Sequence, residues 1–144
     1  MKLILHNYWR SSASQRVRIA LGLKQLPYDY VSVHLLNDGG QHKSAAYKLL
    51  NPMAQVPALE VVEANGARHV LTQSLPIIEF LDERFPETPR LLPSDPFARA
   101  QTRALAEIVN AGIQPFQNLS TTAAVKALGG DDVEWICDLS LIHI

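Results

Sequence analysis

The segment Ser11-Ser12-Ala13-Ser14-Gln15-Arg16-Val17-Arg18 gathers hydroxyl and guanidinium groups in one short stretch. Hydroxyls at the start of a helix accept from its unpaired backbone N–H groups or donate to an anion, and the helix N-terminus adds a partial positive charge. A thiolate is an anion that such a place stabilises. The segment contains no cysteine, so a thiolate held there has to arrive on a bound molecule. The alternative is that the serines cap the helix and the arginines face solvent. Gln55-Val56-Pro57 offers a second feature, a proline at the start of an expected strand. A cis Val56–Pro57 bond would turn the Val56 backbone N–H and C=O toward a bound peptide, and a trans bond would make an ordinary turn. The third feature is Gln73-Ser74, where Ser74 either caps the helix that follows or receives a carboxylate through its hydroxyl and backbone N–H. His6, His34, His42 and His69 have neither i,i+3 nor i,i+4 spacing and no cysteine pair beside them, so no metal site is expected. Asp82-Glu83-Arg84 reads as an exposed helix face, and Trp9 and Trp135 as packing residues.

These residues need elements to position them. KLILHNY from Lys2 to Tyr8 reads as a strand, and the apolar spacing of Val17, Ala20, Leu21 and Leu23 as a helix after the serines. Tyr28–Val33 alternates as a second strand, Asn37-Asp38-Gly39-Gly40 marks a loop, and KSAAYKLL favours a helix. VPALEVVE and Arg68–Leu71 flank Asn65-Gly66, a pair that favours the positive φ of a hairpin turn. Ser74 then opens a helix whose stripe is Ile77, Ile78, Leu81 and Phe85. The order β-α-β-α-β-β-α is that of a thioredoxin-like α/β domain, expected over 1–86. Four prolines between Pro86 and Pro96 mark a linker, 87–96, before an all-helical region over 97–138 with a break near Gly112–Pro115 and a new helix at DDVEWICD.

Composition narrows the partners. The chain has 144 residues, 47% hydrophobic and 19% charged, with 13 Lys+Arg against 14 Asp+Glu. That balance leaves no footprint for nucleic acid or an anionic membrane surface. A single cysteine, Cys137, the lack of a secretory-type start and the lack of a membrane-length apolar stretch fit a reducing, cytoplasmic address. The last residues, Leu139–Ile144, back-translate as CTG TCT CTT ATA CAC ATC, the transposon mosaic end used in sequencing libraries. Residues 139–144 are therefore expected to be an adapter artefact, with a C-terminally truncated helical domain ending near Asp138.

Taken together, YWRSSASQRVRIAL, the DGGQ loop, LNPMAQVPALE, TQSLPIIEFLDERFP, TPRLLPSDPFARA and NAGIQPFQNLS resemble the zeta-class glutathione transferases over about residues 2–138. The resemblance implies a thioredoxin-like domain that binds glutathione, followed by the start of the all-α glutathione-transferase C-terminal domain. It implies that Ser11 stabilises the glutathione thiolate, with Ser12 and the helix N-terminus in support and Arg16 in the catalytic group. His42 falls where the family often has a glutamine reaching the glycyl end. Val56, through the Pro57 turn, would pair with the cysteinyl backbone, and Gln73 with Ser74 would hold the γ-glutamyl carboxylate. Gln114, Asn118, Leu119 and Ser120 correspond to helical-domain residues that close over the ligand, and Arg10 and Arg18 are expected at the substrate. Ala13 stands where many members carry cysteine.

The implied reaction is glutathione-dependent cis–trans isomerisation of maleylacetoacetate to fumarylacetoacetate in tyrosine and phenylalanine catabolism, by a homodimer acting on a small dicarboxylate. The alternatives are isomerisation of maleylpyruvate, a general glutathione transferase or peroxidase, and a glutathione-binding fragment without catalysis.

Overall fold

The structure, a computed structural model, describes residues 1–142, with side chains described through Asp138. His143 and Ile144, and the side chains of the tail expected from Leu139 onward, lie outside the described residues. The chain divides into two compact units, Met1–Leu92 and Pro93–Ile144.

The first unit runs β1 (Lys2–Asn7), α1 (Ser12–Leu23), β2 (Asp29–Ser32), α2 (Ala45–Leu50), β3 (Ala58–Val62), β4 (Arg68–Thr72) and α3 (Ser74–Arg84). Two short 3-10 turns, Asn37–Gly39 and Gln41–Lys43, stand between β2 and α2. This is the expected β-α-β-α-β-β-α order. The four strands lie in the order β2-β1-β3-β4, with β1 parallel to β2 and antiparallel to β3, and β3 antiparallel to β4. The β3–β4 turn forms as the Asn65-Gly66 pair suggests: Gly66 takes φ +85°, Glu63 N–H donates to Ala67 O at 2.8 Å, and Ala67 N–H donates to Asn65 Oδ1 at 3.0 Å.

Strand alternation puts Leu3, Leu5, Leu59 and Val61 on one face of the sheet, where they meet Val17, Ala20 and Leu21 of α1 and Ile77 and Leu81 of α3. Each fully buried Leu, Ile or Val there contributes about 1.5–3 kcal/mol.

Leu23, expected on the apolar stripe of α1, is 58% exposed, and its neighbour Lys24 is inside at 1%. The stripe runs Val17, Leu21, Lys24 at helical spacing, so position 24 faces inward whatever its chemistry. Asp82 was read as part of an exposed face; its side chain is 10% exposed and pairs with Lys24 Nζ at 3.0 Å. Trp9 was read as a packing residue but is 62% exposed, because β1 ends at Asn7 and Tyr8 takes the buried place.

The segment expected as a linker has no regular element before Pro96, yet its first half is tied to the first unit. Asp82 accepts from Leu91 N–H at 2.8 Å and Leu92 N–H at 3.2 Å, and Lys24 donates to Thr88 Oγ1 at 2.7 Å and Pro89 O at 3.1 Å.

The second unit contains α4 (Pro96–Gly112), a 3-10 turn at Gln114–Gln117, α5 (Leu119–Ala127) and α6 (Asp132–Ile142). Asp95 caps α4 through Ala98 N–H at 2.8 Å with Pro96 in its first turn, and α4 stops at Gly112 as the sequence suggests. The separate helix α5 was not expected; Asn118 starts it by accepting from Leu119 N–H at 3.2 Å. Trp135 Nε1 donates to Phe116 O at 2.9 Å, which ties α6 to the 3-10 turn. Among the described residues no helix is long and apolar enough to cross a membrane.

Candidate functional site

Strand register brings distant segments to one edge of the sheet. His6 pairs with Ala58 and Ala58 with Thr72, so the C-terminal end of β1, the start of β3 and the end of β4 coincide. Because β2 is parallel to β1, with Asn7 opposite Ser32, the loop after β2 leaves from the same edge. Four segments therefore converge there: Tyr8–Ser11, the loop carrying His34–His42, Gln55–Pro57 and Gln73–Ser74.

Ser11 is the N-cap of α1, with φ −73° and ψ 118°, and its Oγ accepts from Ser14 N–H at 3.1 Å. A hydroxyl that accepts in this way still has its hydrogen to donate. The first turn of α1 contains no acidic residue to offset the positive end of the helix. Ser12 is exposed at the first helical position. Ser14 is fully buried, and its Oγ has no hydrogen-bond partner among the described residues.

The three arginines play separate parts. Arg18 Nη1 donates to Asn7 Oδ1 at 2.8 Å and Tyr8 O at 3.3 Å, and its Nη2 donates to Trp9 O at 2.9 Å. Its planar fork fixes the β1–α1 loop. Arg10 lies over the exposed Trp9 ring, 5.6 Å from its centroid, with its charge open to solvent. Arg16 is half-buried, and burial pulls its guanidinium below the usual range.

The loop after β2 is built around His34 and Gln41. Gln41 Oε1 accepts from His34 N–H at 2.8 Å, while His34 Nδ1 accepts from Leu36 N–H at 3.2 Å and Asn37 N–H at 3.0 Å. Gly40, at φ +99°, leaves room for His42, whose buried Nδ1 has no partner among the described residues. Burial, and then the charge of Lys43, lower the pKa of His42.

The Val56–Pro57 bond is cis. Gln73 takes φ +69° and is itself the N-cap of α3, so Ser74, expected as the cap, is the first helical residue and is buried. Gln73 Nε2 donates to Gln55 Oε1 at 3.2 Å, joining the start of α3 to the turn before β3. The side-chain contact of Gln55 with Gln73 is not indicated by its place beside Val56. Tyr47 and Asn51, at α2 and just after it, both reach the Gln55 carbonyl, a contact between segments that no local pattern announces.

The four remaining candidates, Gln114, Asn118, Leu119 and Ser120, belong to the second unit. Gln114 opens the 3-10 turn, Asn118 caps α5, and Leu119 and Ser120 form its exposed first turn.

Comparison with known proteins agrees with this architecture. The chain is 46% identical over 131 residues to maleylacetoacetate isomerase of Dictyostelium discoideum, covering 91% of this chain and 57% of that protein. The structure of maleylacetoacetate isomerase from Anaeromyxobacter dehalogenans with bound GSH aligns with TM-score 0.79 and 48% identity, covering 94% of this chain and 61% of that one. A holo structure of maleyl pyruvate isomerase, described as a bacterial glutathione-S-transferase in zeta class, aligns with TM-score 0.80 and 42% identity over 92% of this chain and 61% of that one. The chain thus spans about three-fifths of the length of these relatives. Residues 10–84, which contain α1, the Val56–Pro57 turn and α3, match the family described as Glutathione S-transferase, N-terminal domain. On that match, seated on the edge where these three features meet, the chain belongs to the glutathione S-transferase family.

Proposed function

We propose that the first unit binds glutathione at the sheet edge and that the whole protein isomerises maleylacetoacetate to fumarylacetoacetate. The observation that carries the reading is the Ser11 hydroxyl at the acid-free N-terminus of α1, on the same edge as Val56–Pro57 and Gln73–Ser74. The donor set fits the tripeptide. Ser11, with Ser12 and the α1 N–H groups, would hold the thiolate; Val56 would pair with the cysteinyl backbone; Gln73 and Ser74 would hold the γ-glutamyl carboxylate. His42 would face the glycyl end. Glutathione supplies a soft thiolate nucleophile that adds reversibly to a cis-enone diacid, so rotation about the resulting single bond can precede its departure.

The chain's own contribution is to raise the thiolate fraction near neutral pH and to orient the diacid. Arg10, with its charge free in solvent beside the α1 N-terminus, is the better substrate contact, and Arg16 supports the same region. The resemblance further supports a cytoplasmic homodimer acting in aromatic amino-acid catabolism. Maleylpyruvate is the second reading, supported by the aligned zeta-class structure.

Two measurements test the proposal. The chain should bind reduced glutathione by calorimetry, and a version extended to the length of its relatives should isomerise maleylacetoacetate faster than maleylpyruvate. Faster turnover of maleylpyruvate would favour the second reading, and failure to bind glutathione would remove both.

A further inference from the structure

Two buried side chains converge on one backbone oxygen. The Tyr47 hydroxyl of α2 donates to Gln55 O at 2.7 Å, and Asn51 Nδ2, just after α2, donates to the same oxygen at 2.7 Å. A carbonyl oxygen has two lone pairs, so these donors fill it. The Gln55 carbonyl and the Val56 N–H share one planar peptide unit, and fixing the first from two directions fixes the second.

The donors are themselves held. Asn51 Oδ1 accepts from Met53 N–H at 3.1 Å, and Asn51 N–H donates to Tyr47 O at 2.9 Å. The Tyr47 ring meets the His6 ring of β1 edge-on at 6.4 Å. Burial pushes the Tyr47 phenol up to about 12, so it remains a donor throughout the physiological range. On the other side of the turn, the Gln55 side chain accepts from Gln73 at 3.2 Å. The Gln55–Val56 peptide is thus clamped by α2 through its carbonyl and linked to α3 through its side chain.

We propose that Tyr47 and Asn51 are positioning residues, which set the Val56 peptide for pairing with the cysteinyl backbone of glutathione without touching the ligand. The inference rests on the glutathione reading above. It is tested on the 144-residue chain with reduced glutathione, by calorimetry and by NMR of the Gln55 carbonyl carbon and the Val56 amide. Tyr47→Phe keeps the ring and removes one donor. It should raise the Kd about threefold to tenfold, the range one net hydrogen bond commands. It should also move the Gln55 and Val56 signals while leaving those of α1 and β3 in place. Asn51→Ala, a second variant, should weaken binding at least as much.

An unchanged Kd in both variants overturns the proposal. So does weaker binding accompanied by displaced signals throughout the sheet, which would make the effect one of general folding. An unsubstituted chain that binds no glutathione overturns the functional reading first, and this inference with it.

Discussion

The two ends of α1 treat polar groups in opposite ways. At its C-terminus Lys24 is buried, donates to Thr88 Oγ1 at 2.7 Å, Pro89 O at 3.1 Å and Phe85 O at 3.4 Å, and faces Asp82 at 3.0 Å. Asp82 in turn accepts from the backbone of Leu91 and Leu92. The cation also suits the negative end of the helix dipole. At the N-terminus, Ser11 Oγ accepts one bond, the first turn carries no acid, and the surrounding loops are held by Arg18 and by the Gln55–Gln73 pair. The fold closes its hydrogen bonds where α1, α3 and residues 85–92 must be clamped. It leaves donors open where an anionic ligand would lie.

Breaking the closed end should have the largest effect. Asp82→Ala would leave Lys24 buried without its counter-charge and two backbone N–H groups without an acceptor. It should cost about 3–5 kcal/mol, read by urea unfolding. A cost below 1 kcal/mol would mean that the two ends of α1 do not differ in kind.

At the open end the loss should fall on function. Ser11→Ala should reduce glutathione-dependent turnover of the extended protein about a hundredfold, as loss of one donor to a developing anion does, while costing only about 1 kcal/mol of stability as a lost cap. Ser14→Ala should affect turnover far less, and equal effects would sink the assignment to Ser11.

Smaller effects sharpen the contrast. A Cβ at Gly40 would lie 2.9 Å from Leu35 O and 2.5 Å from His42 Cε1, at φ +99°. Gly40→Ala should therefore cost about 1–2 kcal/mol in thermal unfolding and shift the His42 ring signals. Gln73→Ala should raise the Kd for glutathione with turnover nearly unchanged at saturation; a pure loss of turnover would contradict a binding role.

The smallest effect is a pH dependence. Burial pushes the Asp82 carboxyl up, but the Leu91 N–H, Lys24 and Leu92 N–H outweigh it and hold the group below the usual range. A depressed folded pKa contributes stability that is fully present above the unfolded value, about 3.9, and is lost as pH falls through the folded one. The stability gap between the wild type and Asp82→Asn should therefore be constant above about pH 5 and narrow below pH 4.

Much of the first unit was legible in the chain. Leu3, Ile4 and Leu5 form a short apolar run between Lys2 and His6, Ile77 and Leu81 recur at helical spacing, and Asn65-Gly66 names its own turn, so each local signal agrees with the final element. Lys24 was not legible in that way. A lysine is ordinarily solvated, and only the acceptors supplied from positions 82–89 make its burial tolerable. The partners of Arg18 are not legible locally either: they are the Asn7 side chain and the carbonyls of Tyr8 and Trp9, brought to it by the turn from β1 into α1.

The sequence by itself determined the order of elements in the first unit, the hydroxyls at the start of α1 and the residue types at the Gln55–Pro57 and Gln73–Ser74 segments, because helix period, strand alternation and cap preferences act over a few residues. Only the tertiary structure decided which of those groups share an edge and which are already spent. That depends on strand register: His6, Ala58 and Thr72 lie far apart in the chain and adjacent in the sheet. It depends as well on desolvation, which turns Lys24, Asp82, Tyr47 and Asn51 from surface-type residues into fixed parts of the frame.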